Sequence, residues 1–291
     1  MSCGRESPER AEGAPPAVRS TGASDQHAAQ SRCADPLAHA PLAGRVALVT
    51  GGSGGVGRSI VAALATRGAD VAIGYVQDRG GAEAAAGAAR DLGVRSLAVQ
   101  ANLATEAQVH ALVRRARDEL GDIDIVVSGA VTGRMGPALR LDTRGFQFAL
   151  DVNARSLLLL AQLTAPAMRR KRWGRIVALS SIGAARVLPD YTSVGASKAA
   201  LESLVRHLAI ELAPDGITAN VVSGSVVDTD ALSHFGTRRG LLDAMLARTP
   251  AGRCPSPADM AGAVAMLCCD EASMIVGQTI MVDGGYSLVA W

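Results

Sequence analysis

The sequence predicts an α/β fold: one doubly wound domain with a mostly parallel sheet of about seven strands and a small helical lid insertion. Three observations predict it. Short β-rich apolar runs alternate with longer helical patterns from Gly44 onward. The runs are apolar almost throughout, as strands covered on both faces must be. The first run leads directly into Thr50-Gly51-Gly52-Ser53-Gly54-Gly55-Val56-Gly57, a glycine-rich turn that opens a helix.

Residues 1–41 are rich in Ala, Pro, Ser, Arg and Gly and nearly devoid of large apolar side chains. Such a segment cannot bury enough surface to offset its ordering entropy, so a disordered extension is expected. It has no apolar core after a basic start, and Glu6, Glu9, Glu12, Asp25 and Asp35 count against a mitochondrial transit peptide. The domain is read as residues 42–291. Strands are expected over residues 45–50, 70–75, 94–100, 123–127, 175–180, 216–222 and 278–282. Helices are expected over residues 55–67, 82–92, 105–120, 143–170 and 190–212. Residues 229–257 read as short helices inserted beyond the carboxyl end of a strand, over the ligand crevice. That placement makes them a substrate lid, with a plain connecting helix pair as the alternative.

Composition removes several function classes. A chain of 291 residues with formal net charge +2 and 3% aromatics does not look like a nucleic-acid surface. The dense basic run Arg169-Arg170-Lys171-Arg172 falls at a helix end, where cations complement the dipole, and reads as a solvated face. The five cysteines include no Cys-x2-Cys spacing, so reduced thiols without a metal site are expected in a cytoplasmic protein. No apolar run approaches the ~18 residues needed to span a bilayer.

In its strand–turn–helix context the glycine turn is a dinucleotide site. Gly51 permits the tight turn, and Gly51, Ser53, Gly55 and Val56 are the candidate contacts to a pyrophosphate at the helix N-terminus. An acid ending the second strand would select NAD. Gly74-Tyr75-Val76 has none, and Asp78 lies beside Arg79. NADPH is therefore the expected cofactor, with NADH possible if Gln77 or Asp78 reaches the ribose.

Tyr191 and Lys198 are the most pointed pair. Only Lys171 and Lys198 among 29 basic residues are lysines, and the chain has three tyrosines. Seven helical steps return almost to the starting face, roughly 10 Å further along, so a phenol and an ammonium can share one cofactor and one substrate.

With Asn102-Leu103 after the third strand, Asp151-Val152-Asn153, and the ending Gly277-Gln278-Thr279-Ile280-Met281-Val282-Asp283-Gly284-Gly285, the chain resembles the short-chain dehydrogenase/reductase family, a Rossmann-type fold, over about residues 43–290. The resemblance implies adenine contacts at Asn102 and Leu103, a structural role for Asn153, and nicotinamide contacts at Val227 and Thr229. It also implies a catalytic serine at Ser181. The usual catalytic spacing is Tyr-x3-Lys, but that position holds Val194. Tyr191 instead gives Tyr-x6-Lys, which is similar to the type III enoyl-acyl-carrier-protein reductases and to related enoyl-CoA reductases. The usual Asn-Asn-Ala is here Ser128-Gly129-Ala130, with Ala130 facing the cofactor, and the usual Pro-Gly is Gly224-Ser225.

The spacing has a chemical meaning. A ketoreductase must place its tyrosine at the oxygen on the carbon that receives hydride. An enoyl reductase delivers hydride to the β-carbon, and charge develops on the thioester oxygen two carbons away. Moving the tyrosine while keeping the lysine answers that difference. The expected activity is reduction of an enoyl thioester, carried by an acyl carrier protein or coenzyme A, through Tyr191 and Lys198. Ser181 is either a substrate hydrogen bond or a structural hydroxyl. The alternatives are a ketoreductase of the same family and a cofactor-binding pseudoenzyme. Apolar residues beyond one stripe on helices 143–170 and 190–212, such as Leu157 to Ala161, predict a homotetramer.

Overall fold

The computed structural model describes residues 40–227 and 238–289, apart from the side chains of Arg238, Arg239 and Leu241. The seven strands are β1 (Val46–Thr50), β2 (Asp70–Tyr75), β3 (Ser96–Gln100), β4 (Ile125–Ser128), β5 (Gly174–Ser181), β6 (Ile217–Gly224) and β7 (Thr279–Val282). They form one sheet in the order β3-β2-β1-β4-β5-β6-β7, and every pairing is parallel. The order reverses between β1 and β4, so the crevice opens beyond the carboxyl ends of these strands.

Strand periodicity divides the core. In β1, Val46 and Leu48 join a cluster with helices α3 (Glu106–Leu120), α5 (Ser156–Lys171) and α6 (Thr192–Leu212). Ala47 and Val49 face the other way, against α1 (Gly55–Ala65), α2 (Arg79–Asp91) and α8 (Pro257–Cys268). A strand with helices on both faces needs apolar residues at every position, which is why the expected runs show no alternation.

Three local features differ from the sequence reading. Helix α2 begins three residues earlier than expected, because the Asp78 carboxylate caps it by accepting the Gly81 N–H at 2.8 Å. The expected helix over residues 143–170 is α4 (Thr143–Leu150), a π turn over Asp151–Arg155, and then α5. The basic run is not simply solvated. Lys171 pairs with Asp124 at 2.7 Å, Arg170 with Asp122 at 3.1 Å, and Arg169 and Arg172 with Asp215 at 2.8 and 3.5 Å.

These pairs belong to a tie across the amino ends of the strands. Asp124, 1% exposed, accepts the Val46 N–H at 3.1 Å as well as the Lys171 ammonium. The Trp173 ring lies between two guanidinium groups, Arg45 at 3.8 Å and Arg175 at 4.4 Å from its centroid. Asp270 accepts from both the Trp173 indole N–H and Arg175. Nearby, burial pushes the Cys268 thiol up to about 12, so it stays protonated and unreactive. Of the expected lid, residues 229–237 lie outside the described residues, as do residues 1–39 of the expected N-terminal extension. The remainder of the expected lid begins with helix α7 (Arg238–Leu246).

Candidate active site

The carboxyl rim is built around Thr50. Its buried hydroxyl donates to the Val127 carbonyl at 3.4 Å and accepts the Gly129 and Ala130 N–H groups at 3.1 and 3.4 Å. This pins the Ser128-Gly129-Ala130 segment against the glycine turn. Gly51 has φ +71°, and a Cβ there would lie 2.8 Å from the Ala130 nitrogen. A Cβ on Gly57 would collide with the Gly51 carbonyl. Both positions therefore require glycine, one for its conformation and one for close packing.

The turn fits a dinucleotide phosphate. Helix α1 follows an extended Gly54, has no side-chain cap and carries no acid in its first turn. By contrast α2, α4 and α8 are capped by Asp78, Asp142 and Ser256. The unclaimed N–H groups at Gly55 and Val56, with Ser53 beside them, form a neutral cradle with positive potential.

Tyr191 is the N-cap residue of α6, and its ring lies over Gly183, where a Cβ would sit 2.6 Å from two ring carbons. Burial raises its pKa above the ordinary tyrosine value, while a hydrogen bond with Ser181 acts the other way. The phenol therefore stays protonated at neutral pH and remains a donor. Lys198 is 3% exposed, and its ammonium donates to the Leu179 carbonyl at 2.7 Å. Desolvation lowers its pKa to about 8, opposed by the Glu202 charge. Glu202 is held in turn by the Ser180 hydroxyl at 2.6 Å. Val194 is 4% exposed and packs on Gly133, so the Tyr-x3-Lys position is occupied by a core side chain.

The structure thus gathers Gly51, Ser53, Gly55, Val56 and Ala130 at one end of the crevice and Ser181, Tyr191 and Lys198 at the other. Asn102 sits after β3, its side chain accepting the Ala104 N–H at 3.0 Å, while the Leu103 side chain is buried in the core. Val227 packs against the α8-side core, with a Cβ on Gly224 falling 3.4 Å from it. Thr229 lies outside the described residues.

Asn153 explains the π turn. Its amide donates to the Thr132 carbonyl at 2.7 Å and to the Ser197 hydroxyl at 2.8 Å, and its oxygen accepts the Thr132 N–H at 2.8 Å. One side chain therefore joins the long helix, the loop after β4 and the helix bearing Lys198. Sequence reasoning missed the parts played by Thr50, Ser197 and Glu202. A hydroxyl ending an apolar strand was a signal for Thr50; nothing in the sequence singled out the other two.

Known proteins share the sequence pattern and the fold. The sequence family described as Enoyl-(Acyl carrier protein) reductase matches residues 51–287. The chain is 37% identical over 248 residues to the 1-cyclohexenylcarbonyl-CoA reductase of Streptomyces collinus, covering 84% of this chain and 88% of that one. It is 35% identical over 249 residues to the 3-oxoacyl-(acyl-carrier-protein) reductase FabG of Escherichia coli, covering 84% and 98%. Among solved structures, a short-chain dehydrogenase/reductase from Serratia marcescens superposes with TM-score 0.79 at 35% identity, covering 85% and 99%. A 7α-hydroxysteroid dehydrogenase complexed with NADH and 7-oxo glycochenodeoxycholic acid superposes with TM-score 0.80 at 32% identity, covering 84% and 94%.

Proposed function

Since the chain belongs to the short-chain dehydrogenase/reductase family, an oxidoreductase family, we propose that it reduces the α,β double bond of an enoyl thioester at the expense of NADPH. One observation carries this reading. The tyrosine that shares a helix face with Lys198 is Tyr191, while the position of an ordinary carbonyl reductase's tyrosine holds the buried Val194.

A bound nicotinamide supplies hydride to the β-carbon; the chain's own residues manage the charge that results. The electron pair of the double bond moves onto the thioester oxygen, where the protonated Tyr191 phenol donates a hydrogen bond to the developing enolate. Such a donor, aimed at charge absent from the ground state, contributes on the order of 3 kcal/mol. Collapse of the enolate takes a proton from solvent at the α-carbon and leaves the Tyr191 phenol protonated. Lys198 holds the nicotinamide ribose and adds positive potential beneath Tyr191. Ser181 orients the phenol. Asn153 and Ser197 fix the spacing between the α6 turn and the loop that covers the substrate.

The preference for NADPH rests on β2 and α2. The carboxylate nearest the end of β2 is Asp78, and it is engaged in capping α2. Arg58 and Arg79 are exposed close by. A kcat/KM for NADH equal to or above that for NADPH would overturn the preference.

A ketoreductase is the second reading, favoured by Ser181 beside the tyrosine and by the relatives named for 3-oxoacyl reduction. Crotonyl and acetoacetyl thioesters offered to one preparation discriminate the two. Faster turnover of the crotonyl thioester is expected; turnover of acetoacetyl alone would reverse the assignment. The working assembly is proposed to be a homotetramer built on α4 to α6, where Phe148 and Ile210 are exposed. Light scattering should then give several times the chain mass of 29.7 kDa.

A further inference from the structure

Three arginines near the mouth of the crevice make no ion pair among the described residues, although the Asp142 carboxylate lies between two of them in sequence. Arg134 and Arg140 lie between β4 and α4, Arg144 lies in the first turn of α4, and all are exposed. Other surface arginines, such as Arg95, Arg115, Arg155, Arg170 and Arg253, meet a carboxylate, while Arg58, Arg79, Arg114 and Arg206 are also exposed without an ion pair to a described residue but are spread over separate elements. Among the described residues, Arg134, Arg140 and Arg144 have no ion pair and no side-chain hydrogen bond. The nearest acid in sequence, Asp142, is used as the α4 cap, accepting the Arg144 and Gly145 N–H groups.

The cluster is held close to the chemistry. The Ser193 hydroxyl donates to the Arg134 carbonyl at 2.8 Å, and the Gly136 N–H to the Asp190 carbonyl at 2.8 Å. Both links grip the chain within two residues of Tyr191. Arg134 folds back toward α4, its Cδ 3.6 Å from where a Cβ on Gly145 would stand, which brings it to the helix turn that carries Arg144. Val131, Met135 and Leu139, all exposed, alternate with these cations. Like charges crowded together repel unless an anion joins them, and the apolar interleaving suits an arm that is part amide and part hydrocarbon.

We propose that residues 131–144 form the binding surface for the phosphates of coenzyme A, and that the thioester is carried by coenzyme A rather than by a carrier protein. The placement rests on the enoyl-thioester reading, which puts the thioester oxygen at Tyr191 and sends the pantetheine arm outward over this segment. Coenzyme A brings a diphosphate and a 3′-phosphate on one small molecule, which matches three neighbouring cations. The arm of a carrier protein has a single phosphodiester, so a carrier would have to match the remaining arginines with carboxylates of its own surface.

The test uses the full-length protein saturated with NADPH and the triple variant Arg134→Gln, Arg140→Gln, Arg144→Gln, with melting temperature as the folding control. Calorimetric titration with free coenzyme A should show the dissociation constant rising on the order of 10-fold in the variant, a few-fold per exposed pair. Wild-type affinity should weaken with added salt more steeply than the variant's. The ratio of kcat/KM for crotonyl-CoA to that for crotonyl-N-acetylcysteamine, which lacks phosphates, should fall by a similar factor. Single Arg140→Gln should show part of the effect. Unchanged coenzyme A affinity in the triple variant overturns the proposal, as does a wild-type preference for crotonyl-acyl-carrier-protein over crotonyl-CoA. Arginine-dependent coenzyme A binding without reduction of crotonyl-CoA would instead defeat the enoyl reading and leave this surface standing.

Discussion

At the amino end of the strands, Asp124 has a backbone N–H and the Lys171 ammonium, and Trp173 lies between Arg45 and Arg175 with Asp270 closing the group. At the carboxyl end, Lys198 has a single carbonyl partner, and the neighbouring Glu202 is held by Ser180. The same sheet carries both arrangements. Where nearly every group is matched, the buried Arg175 Nε being the exception, removing one member strands another in the interior, so the rim resists change. Where a cation is buried with an incomplete set of partners, its protonation stays adjustable and its remaining hydrogen-bonding capacity is open to a ligand. One rim holds the strands in register, and the other holds reactants.

The sharpest way to break this comparison is Tyr191→Phe. It should lower kcat by roughly 10²-fold through loss of a transition-state hydrogen bond, while melting temperature and cofactor affinity stay near wild type. A variant with wild-type turnover would remove Tyr191 from the chemistry.

Asp124→Ala should do the reverse. Losing a buried carboxylate that satisfies a strand N–H and a lysine should cost about 2–3 kcal/mol. For a domain of this size that is a drop of very roughly 5–10 °C in melting temperature, with kcat of the folded fraction unchanged. A comparable loss of kcat would mean the two rims are coupled.

A smaller effect should accompany a change of pH. The Lys198 pKa is lowered to about 8 in the folded protein against an ordinary 10.5. Between these values the unfolded chain binds the extra proton, so stability attributable to this group rises with pH across that window. The ammonium charge, however, is lost as pH passes about 8, while Tyr191 stays protonated. The kcat/KM profile should therefore fall above about pH 8 as thermal stability holds or improves. A descending limb retained in Lys198→Met would assign it to another group.

Least of all should change when residues 1–39 are removed. The composition of that segment leaves it unable to pack. Deletion should leave turnover and melting temperature within error. Cutting further, through Leu42, should destabilise, because that side chain is fully buried and its N–H reaches the Arg67 carbonyl.

The parallel, doubly covered sheet was legible in the sequence because strand burial on both faces leaves a nearly unbroken apolar signature, as in β1. The Tyr191–Lys198 pair stands out in the sequence because helical spacing and residue scarcity coincide. Other features depended on partners far away in the chain. Lys171 looked like one more surface cation, since its partner Asp124 precedes it by 47 residues. Asp78 looked available to a ribose because the two glycines after it resemble a loop, yet helix α2 starts there and claims the carboxylate. The π turn left no mark on periodicity; it is imposed by what Asn153 reaches across the fold.

That turn also bears on how this sequence can vary by inheritance. Relative to a regular helix, the π turn accommodates an extra residue by turning each of its residues less, so the helix beyond it keeps its facing. Excising one codon from the stretch encoding residues 151–155 would restore a regular helix and strip nothing essential from its hydrogen-bond ladder. The face of α5 that carries Leu157, Leu160, Ala161, Thr164 and Met168 would stay on the sheet, but Asn153 would be pulled from its Thr132 and Ser197 partners. Substitutions here touch one contact at a time, but a single in-frame deletion would cut all the links that Asn153 makes. Lineages descending from this gene should therefore accumulate exchanges along this helix while keeping its length fixed.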